Sequence, residues 1–311
     1  MVFFSVVIPL HNKADHIENA IKSIFDQTFI DYEIIIINDG STDASEAIAR
    51  RFYDKRIQIF NQKNQGVSVA RNFGIEKSSG KFIAFLDADD YWFPNHLEEL
   101  HKLILDFPNC GMYCSRYKTK IGTNHFKTPV FQGIANSFKG IINDYFYSNK
   151  PSRITWTSSL AISKEILENI GGFTPGITNG QDLELWTKIG IRFPVAITNK
   201  TTAIYNYDID NSLTKRKINS RILMDFEQFK IFEKDNPSLK KFLDLYRIEY
   251  GLHYYIFGNK TKFNFYLKDV DKENIPFKVQ FLLKVPPFVL QFLLKLKKKL
   301  KQSGIDFSIY G

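Results

Sequence analysis

A chain of 311 residues with 44% hydrophobic and 24% charged residues has the ordinary make-up of a globular protein, long enough to bury one large core or two lobes with an appendage. Its two cysteines, Cys110 and Cys114, offer no disulfide framework and no metal-ligand spacing, and no apolar run reaches the roughly 18 residues of a membrane-spanning helix. The net charge of +9 is unevenly placed: residues 1–110 hold 11 Lys/Arg against 16 Asp/Glu, net −5, and residues 111–311 hold 31 against 17, net +14. An acidic first part with a basic remainder predicts a metal site in one and an anionic surface met by the other. Nucleic acid is not expected as that surface, because no recognition motif accompanies the charge. The cysteines read as small core residues in a reducing, cytoplasmic compartment.

In chain order, Met1 to Pro9 lacks the basic region and cleavage site of a leader and reads as a first strand. Apolar runs predict strands over 3–9, 33–38, 57–61 and 82–86, with helices near 17–25, 44–52 and 68–77 between them. Asp15 with Glu18 three residues on looks like a capping pair opening the first helix. Near-continuous apolar strands joined by helices imply a mostly parallel sheet covered on both faces, with ligands bound where strands end. Each such end is polar: His11-Asn12, then Asp39-Gly40-Ser41-Thr42-Asp43, then Asn64-Gln65-Gly66, then Asp87-Ala88-Asp89-Asp90.

That last loop puts three carboxylates in four positions, and like charges so close need a counter-charge, most simply a divalent cation. Asp87 and Asp89, one residue apart, leave the same side of an extended segment. Oxygen ligands suit a hard ion, Mg²⁺ or Mn²⁺, shared with substrate phosphates. The triplet alone fits a solvated acidic turn equally well, with Asp90 capping the helix that follows at Asn95. Other α/β signatures are missing: Pro9-Leu10-His11-Asn12 stands where a dinucleotide glycine fingerprint would, and Gly74 to Gly80-Lys81 fails the P-loop spacing. A nucleotide site without a glycine cradle has to neutralise a diphosphate by other means, and a metal on the triplet does so.

Taken together, Ser5-Val6-Val7-Ile8-Pro9-Leu10-His11-Asn12, Ile37-Asn38-Asp39-Gly40-Ser41-Thr42-Asp43, Asn64-Gln65-Gly66 with Ala70-Arg71-Asn72, and Leu86-Asp87-Ala88-Asp89-Asp90 resemble the family 2 inverting glycosyltransferases of bacterial surface-polysaccharide type. The resemblance continues more loosely through Gly171-Gly172-Phe173 and Gln181-Asp182-Leu183-Glu184-Leu185-Trp186, and fades after about residue 215. It implies a GT-A fold, a nucleotide-sugar donor and a divalent metal. By that pattern Asp39 accepts a hydrogen bond from the base, which a carboxylate can do from the imide of uracil or thymine and also from guanine; as a turn residue it would only precede Gly40. UDP-sugar is therefore favoured, with dTDP- or GDP-sugar as alternatives. Pro9, Leu10 and Asn12 match positions that wall the base, and His11 either stacks on it or is a loop residue. Gly66, Asp87 and Ala88 fall in the nucleotide-binding motifs, Asp89 is the direct metal ligand, and Arg71 lies near the diphosphate or the acidic motif, unless it is only a surface ion pair.

Residues 111–215 are expected to form the acceptor-binding half of the domain begun by 1–110, with strands over 112–117 and 155–162 and a helix over 164–170 stopped by Gly171. In the resemblance Asp182 deprotonates the acceptor hydroxyl, although Gln181 stands where a Glu is more usual; Asp182 also fits an N-cap of the helix predicted over 183–189. Trp156, Gly172 and Trp186 line the acceptor cleft in this reading, or belong to the core. The processive synthases' Gln-x-x-Arg-Trp signature is missing, so a single sugar is transferred, hexosyl or N-acetylhexosaminyl.

Residues 216–311 read as a helical, basic extension. Leu239, Phe242, Leu243, Tyr246 and Tyr250, and likewise Ile222, Phe226 and Phe229, recur at helical spacing and predict packing on the catalytic domain. Residues 278–301 hold seven lysines and no acid, and Val289, Phe292, Leu293, Leu296 and Leu300 form an apolar stripe. That is the pattern of an interfacial helix on anionic lipid, over 287–301, or else of a helix docked on the body. The expected acceptor is accordingly a glycan or lipid-linked glycan at the inner membrane face. The competing readings are a sugar-phosphate nucleotidyltransferase, whose glycine-rich signature Pro9 to Asn12 does not resemble, and a nucleotide-sugar-binding protein without turnover.

Overall fold

A computed structural model describes residues 2–122, 125–207 and 221–302. The first half alternates as its apolar runs predict: β1 (Phe4–Leu10), α1 (Ile17–Phe25), β2 (Tyr32–Asp39), α2 (Ser45–Ala49), β3 (Ile57–Gln62), α3 (Val67–Lys77) and β4 (Phe82–Phe85). These strands are all parallel, in the order β3-β2-β1-β4. Ile34, Ile35, Ile36 and Ile37 of β2 are all fully buried, because helices cover both faces of a parallel sheet. The winding reverses at β1, so the loops after β1 and β4 open side by side at the carboxyl edge, where such sheets bind ligands. Two local expectations fail. Asp15 and Glu18 form no capping pair: His16 occupies the cap without a side-chain bond, and Glu18 pairs with Lys22 at 2.6 Å instead. The second helix is only five residues long, because the chain leaves it at Arg50 for a turn held by Asp54 and Arg56 at 2.8 Å.

The second half extends the same sheet through β5 (Tyr91–Trp92), α4 (His96–Asp106), β6 (Met112–Ile121), β7 (His125–Lys127), β8 (Gly140–Ile141), α5 (Tyr145–Ser148), β9 (Leu160–Ser163), α6 (Lys164–Ile170), α7 (Gln181–Arg192) and β10 (Val195–Asn206). β9 runs antiparallel between β4 and β6, β10 lies parallel to β6, and β5 closes the far edge. The strand expected from residue 155 begins only at Leu160. Thr157 to Ser159 form a 3₁₀ turn, because the Ser158 carbonyl accepts from the Trp92 indole at 2.5 Å and the Ser159 hydroxyl turns back to the Trp156 carbonyl at 2.9 Å. α6 stops at Gly171, left-handed at φ +91° as a C-cap glycine allows. Cys110 and Cys114 are buried free thiols.

The extension contains α8 (Lys230–Glu233), α9 (Pro237–Ile256), α10 (Lys260–Leu267), α11 (Phe277–Leu282) and α12 (Pro287–Gln302). Asn236 caps α9, its side chain accepting from the Leu239 amide, and Leu239, Phe242, Leu243, Tyr246 and Tyr250 bury into the main core at the predicted spacing. The helix implied by Ile222, Phe226 and Phe229 does not form. Only Glu227–Phe229 makes a 3₁₀ turn, and Ile222 is 60% exposed, so tertiary contact overrides the spacing. Arg247, fully enclosed, fastens α9 to α8 through Glu233 at 2.5 Å and to its own Asp244 at 3.0 Å. α12 rests on α9 through Leu290, against Leu252 and Ile256, while Gln291 donates to the Ile256 carbonyl at 2.8 Å. No helix among the described residues is long and apolar enough to cross a membrane. The boundary placed at residue 215 and the stretch 303–311 lie outside the described residues, as do the side chains of Lys297, Lys298, Lys299, Leu300 and Lys301.

Gly74 offers a test of how tightly α3 sits on the sheet. A Cβ there would lie 2.3 Å from the Cγ1 methyl of Val7, a stiff branched side chain in the core. Alanine gains about 1 kcal/mol of helix propensity over glycine, but overpacking a dense core costs about 1–3 kcal/mol. Gly74→Ala is therefore expected to lower the urea midpoint, read by circular dichroism, despite its better helix former.

Candidate active site

The carboxyl edge of the first four strands gathers the loops singled out in the sequence. Asp39 ends β2 and is 3% exposed. Its Oδ1 accepts from the Gln65 amide at 2.8 Å and from Gln62 at 2.7 Å, and its Oδ2 from the Gly66 amide at 2.9 Å. It is thus more than a turn residue: it fixes the 64–66 loop, and of its four acceptor positions one remains, on Oδ2. Gly40 has to be glycine here, left-handed at φ +66° with the Asn64 amide 2.8 Å from where a Cβ would stand. His11 donates from Nδ1 to the Asp39 carbonyl at 2.8 Å, which holds the exposed ring by its edge. Asn12, at φ +51°, accepts through Oδ1 from the Thr42 amide at 2.8 Å and so joins the loop after β1 to the loop after β2. Pro9 is half-buried. Leu10 corrects its expected role as a wall: its side chain is fully buried, because the residue falls on the core side of β1.

The acidic stretch is a turn rather than extended chain, with the Asp90 amide donating to the Asp87 carbonyl at 2.9 Å, so the alternation expected for Asp87 and Asp89 does not apply. Each carboxylate meets a different partner. Asp87 receives Arg71 Nη2 at 2.6 Å, and Arg71 is 3% exposed, with its guanidinium 5.1 Å from the Phe173 ring. It is no surface pair. Its Nε and Nη1 are buried and have no partner among the described residues. Asp89 pairs with Lys13 Nζ at 2.6 Å. Asp90 neither caps the next helix nor faces solvent. It is 3% exposed and accepts from Ser158 at 2.6 Å, the Trp156 indole at 3.3 Å and the Asn206 amide at 3.0 Å. Burial, reinforced by Asp89 and Asp87, holds it well above the ordinary carboxylate range. Ala88 is buried beside it.

Among the described residues no three His, Cys, Asp or Glu side chains converge as a metal cage. A hard ion of the Mg²⁺ or Mn²⁺ type does not require one, since it is held by one or two carboxylates with water and substrate phosphates. Asp89 fits that role, because its partly exposed carboxylate already draws a cation to 2.6 Å.

Asp182 lies in the first turn of α7, and Gly180 rather than Asp182 is the cap. Its Oδ2 is 3.4 Å from Arg153 Nη1, and Arg153 Nε donates to the Tyr246 hydroxyl at 2.9 Å. Trp156 packs against Tyr205 with ring centroids 3.9 Å apart and the planes tilted by 40°. Trp186 lines no cleft: it is 1% exposed and packs on Phe85 and Phe173 in the core. Gly172 is a joint. Asn72 donates to the Phe173 carbonyl at 2.7 Å and accepts from its amide at 2.8 Å, and a Cβ on Gly172 would sit 2.6 Å from Asn72 Oδ1. That clamp binds the Arg71-Asn72 motif to the Gly171-Gly172-Phe173 motif 100 residues away. Lys13, Arg153, Ser158 and Asn206 were not singled out by the sequence. Only Lys13, adjoining Asn12, carried a local signal.

Comparison with known proteins bears on the same stretch. An uncharacterized glycosyltransferase of Rickettsia bellii is 38% identical over 190 residues, 60% of this chain and 26% of that protein. The uncharacterized glycosyltransferase YibD of Escherichia coli is 45% identical over 104 residues, 33% of this chain and 30% of that protein. The chain thus spans about a quarter to a third of the length of these relatives. Among solved structures, residues 1–349 of S. aureus TarS in complex with UDP-GlcNAc superpose with a TM-score of 0.60 at 15% identity, over 89% of this chain and 90% of that one, which is a likeness of fold. The family model for glycosyl transferase family 2 matches residues 5–171. That match exceeds half of the chain, running from β1 to the glycine that ends α6, and the protein belongs to glycosyl transferase family 2.

Proposed function

We propose that this protein transfers a single sugar from a nucleotide-sugar donor, a UDP-sugar in preference to dTDP- or GDP-sugar, to a hydroxyl of a glycan or lipid-linked glycan, with inversion. The observation that carries the reading is Arg71. A buried guanidinium with two unfilled donors beside an acidic turn is an incomplete site, and a diphosphate oxygen completes it. The remaining acceptor position of Asp39 suits the single ring N–H of uracil, and the exposed face of His11 suits stacking on the base. TarS, of the same fold, is known with UDP-GlcNAc, which supports the donor class.

In the proposed reaction the acceptor oxygen attacks the anomeric carbon while Asp182 takes its proton. The bond from that carbon to the diphosphate breaks on the opposite face, and its electron pair leaves with the nucleotide. Lys13 and Arg71 answer the charge that develops there. Asp89 would hold the divalent metal, which adds electrostatic stabilisation of the departing diphosphate. Arg153 orients the Asp182 carboxylate toward the acceptor.

Two of the residues invoked are separable by measurement. Calorimetry with UDP is expected to show binding that needs Mn²⁺, is abolished by chelator and is lost in Asp89→Asn. Binding of no nucleotide under any condition would end the reading. Asp182→Asn is expected to bind UDP as wild type does and to lower transfer by about 10²–10⁴-fold, the usual worth of a positioned base. Unchanged turnover would remove Asp182 from that role.

The extension supports a site at the membrane surface. Phe277, Phe281, Phe288 and Phe292 are 63–82% exposed, Leu293 and Leu296 are more than 40% exposed, and no acid occurs between Glu273 and Asp306. We infer peripheral contact with anionic lipid through α11 and α12, with Lys284 and Lys295 on the headgroups. Immersing one phenylalanine is worth about 1.5–3 kcal/mol, so Phe288→Ser with Phe292→Ser is expected to weaken co-sedimentation with phosphatidylglycerol vesicles by at least about tenfold. Equal sedimentation of the variant would reject the contact.

A further inference from the structure

The extension reaches the candidate base. α7 opens at Gly180, left-handed at φ +85°, and carries Asp182 in its first turn. Two tyrosines of α9, one helical turn apart, meet that opening. The Tyr250 hydroxyl lies 2.8 Å from where a Cβ on Gly180 would stand, so it abuts the cap itself. Tyr246 is 9% exposed, and its hydroxyl accepts from Arg153 Nε at 2.9 Å, while Arg153 Nη1 lies 3.4 Å from Asp182 Oδ2. The same guanidinium stands 5.1 Å from the centre of the Tyr246 ring. One arginine thus bridges the extension and the base.

Arg153 is fixed at both ends. Its carbonyl accepts from the Tyr117 hydroxyl at 2.8 Å, and the next amide, Ile154, donates to the Asn149 side chain at 2.8 Å. At the other end the guanidinium is a rigid planar fork, so a bond at Nε sets the direction in which Nη1 points. Without that bond a side chain one-third exposed is free to turn toward solvent. Burial pushes the Tyr246 phenol up, so near neutral pH it is an uncharged acceptor and no rival of Asp182 for the cation. Glu249, between the two tyrosines on α9, acts on Arg153 only at longer range, and Asp182 is the carboxylate in contact with it. We propose that Tyr246 is a positioning residue for transfer: through Arg153 it aims the Asp182 carboxylate, and α9 is thereby part of the catalytic unit. The assignment rests on the reading of Asp182 as the base.

Release of UDP from UDP-GlcNAc, UDP-glucose and UDP-galactose by the full chain, with Mn²⁺ and with water as acceptor, tests this. The water oxygen attacks the anomeric carbon, the bond to the diphosphate breaks with its electron pair on UDP, and Asp182 takes the proton. Tyr246→Phe keeps the ring and removes the acceptor of Nε. It is expected to lower kcat about tenfold with donor KM and calorimetric UDP affinity unchanged, since a misplaced base costs rate rather than donor binding. Arg153→Met is expected to lower kcat at least as much, and Tyr246→Phe added to it to cost nothing further, because the hydroxyl acts only through the guanidinium. A merely structural tyrosine would give the same loss in both backgrounds. Full kcat in Tyr246→Phe, a raised donor KM in its place, or additive losses in the double variant would each overturn the proposal. Should Tyr246→Phe not fold, unchanged kcat in Arg153→Met overturns it alone. Asp182→Asn separates the two readings: undiminished release there would be the failure of the base assignment, and the positioning role would fall with it. No UDP released by wild type from any of the donors would overturn the transferase reading and this proposal together.

Discussion

Three carboxylates within four residues repel one another, and much of the surrounding structure is an answer to that repulsion. Each is met from a different part of the chain: Asp87 by Arg71 on α3, Asp89 by Lys13 beyond β1, and Asp90 by Ser158, Trp156 and Asn206 from the second half. The solutions differ in kind. Asp87 has a buried cation, Asp89 a partly exposed one, and Asp90 only hydrogen-bond donors in a dry site, which favours its proton. The turn therefore keeps two carboxylates partly exposed at the edge, Asp87 and Asp89, while the buried Asp90 fastens the edge in place.

The fastening is what joins the first half of the sheet to the second. Asp90 draws the end of β10 and the 3₁₀ turn before β9 against β4, and Asn72 grips the backbone of Phe173 with both ends of its amide. Both contacts sit directly beside Arg71 and Asp87. Asp182 on α7, met by Arg153, and Arg71 on α3 are thereby fixed relative to each other through short chains of hydrogen bonds rather than through loop packing alone. Reaction geometry of the in-line kind needs such positional control.

Local pattern reached the first four strands and the helix stop at Gly171 because an apolar run, or a glycine at a helix end, constrains the backbone by itself. Leu10 shows the limit of motif position: it is the last residue of β1, where the covered sheet buries its side chain completely. Trp186 likewise belongs to the recognised stretch and to the core. Asp90 looked like a cap because its burial depends on Ser158 and Asn206, 68 and 116 residues away, and no window of sequence contains that information. Arg153 was invisible for the same reason. Phe226 and Phe229 do bury in the main core as their spacing implied, but through a 3₁₀ turn rather than a helix, and Ile222 is left exposed.

The sheet order has a consequence for how the chain is made. β4 pairs on one side with β1, and on the other only with β9, which begins 75 residues after β4 ends. While the ribosome has delivered only the first half, β4 is a bare sheet edge carrying the hydrophobic sequence Phe82-Ile83-Ala84-Phe85, the type of edge that recruits other strands. The charges that follow it immediately, Asp87, Asp89 and Asp90, then act as gatekeepers on a nascent chain, repelling a second copy in register. Charges that the finished edge holds in ion pairs and hydrogen bonds thus also protect the unfinished one.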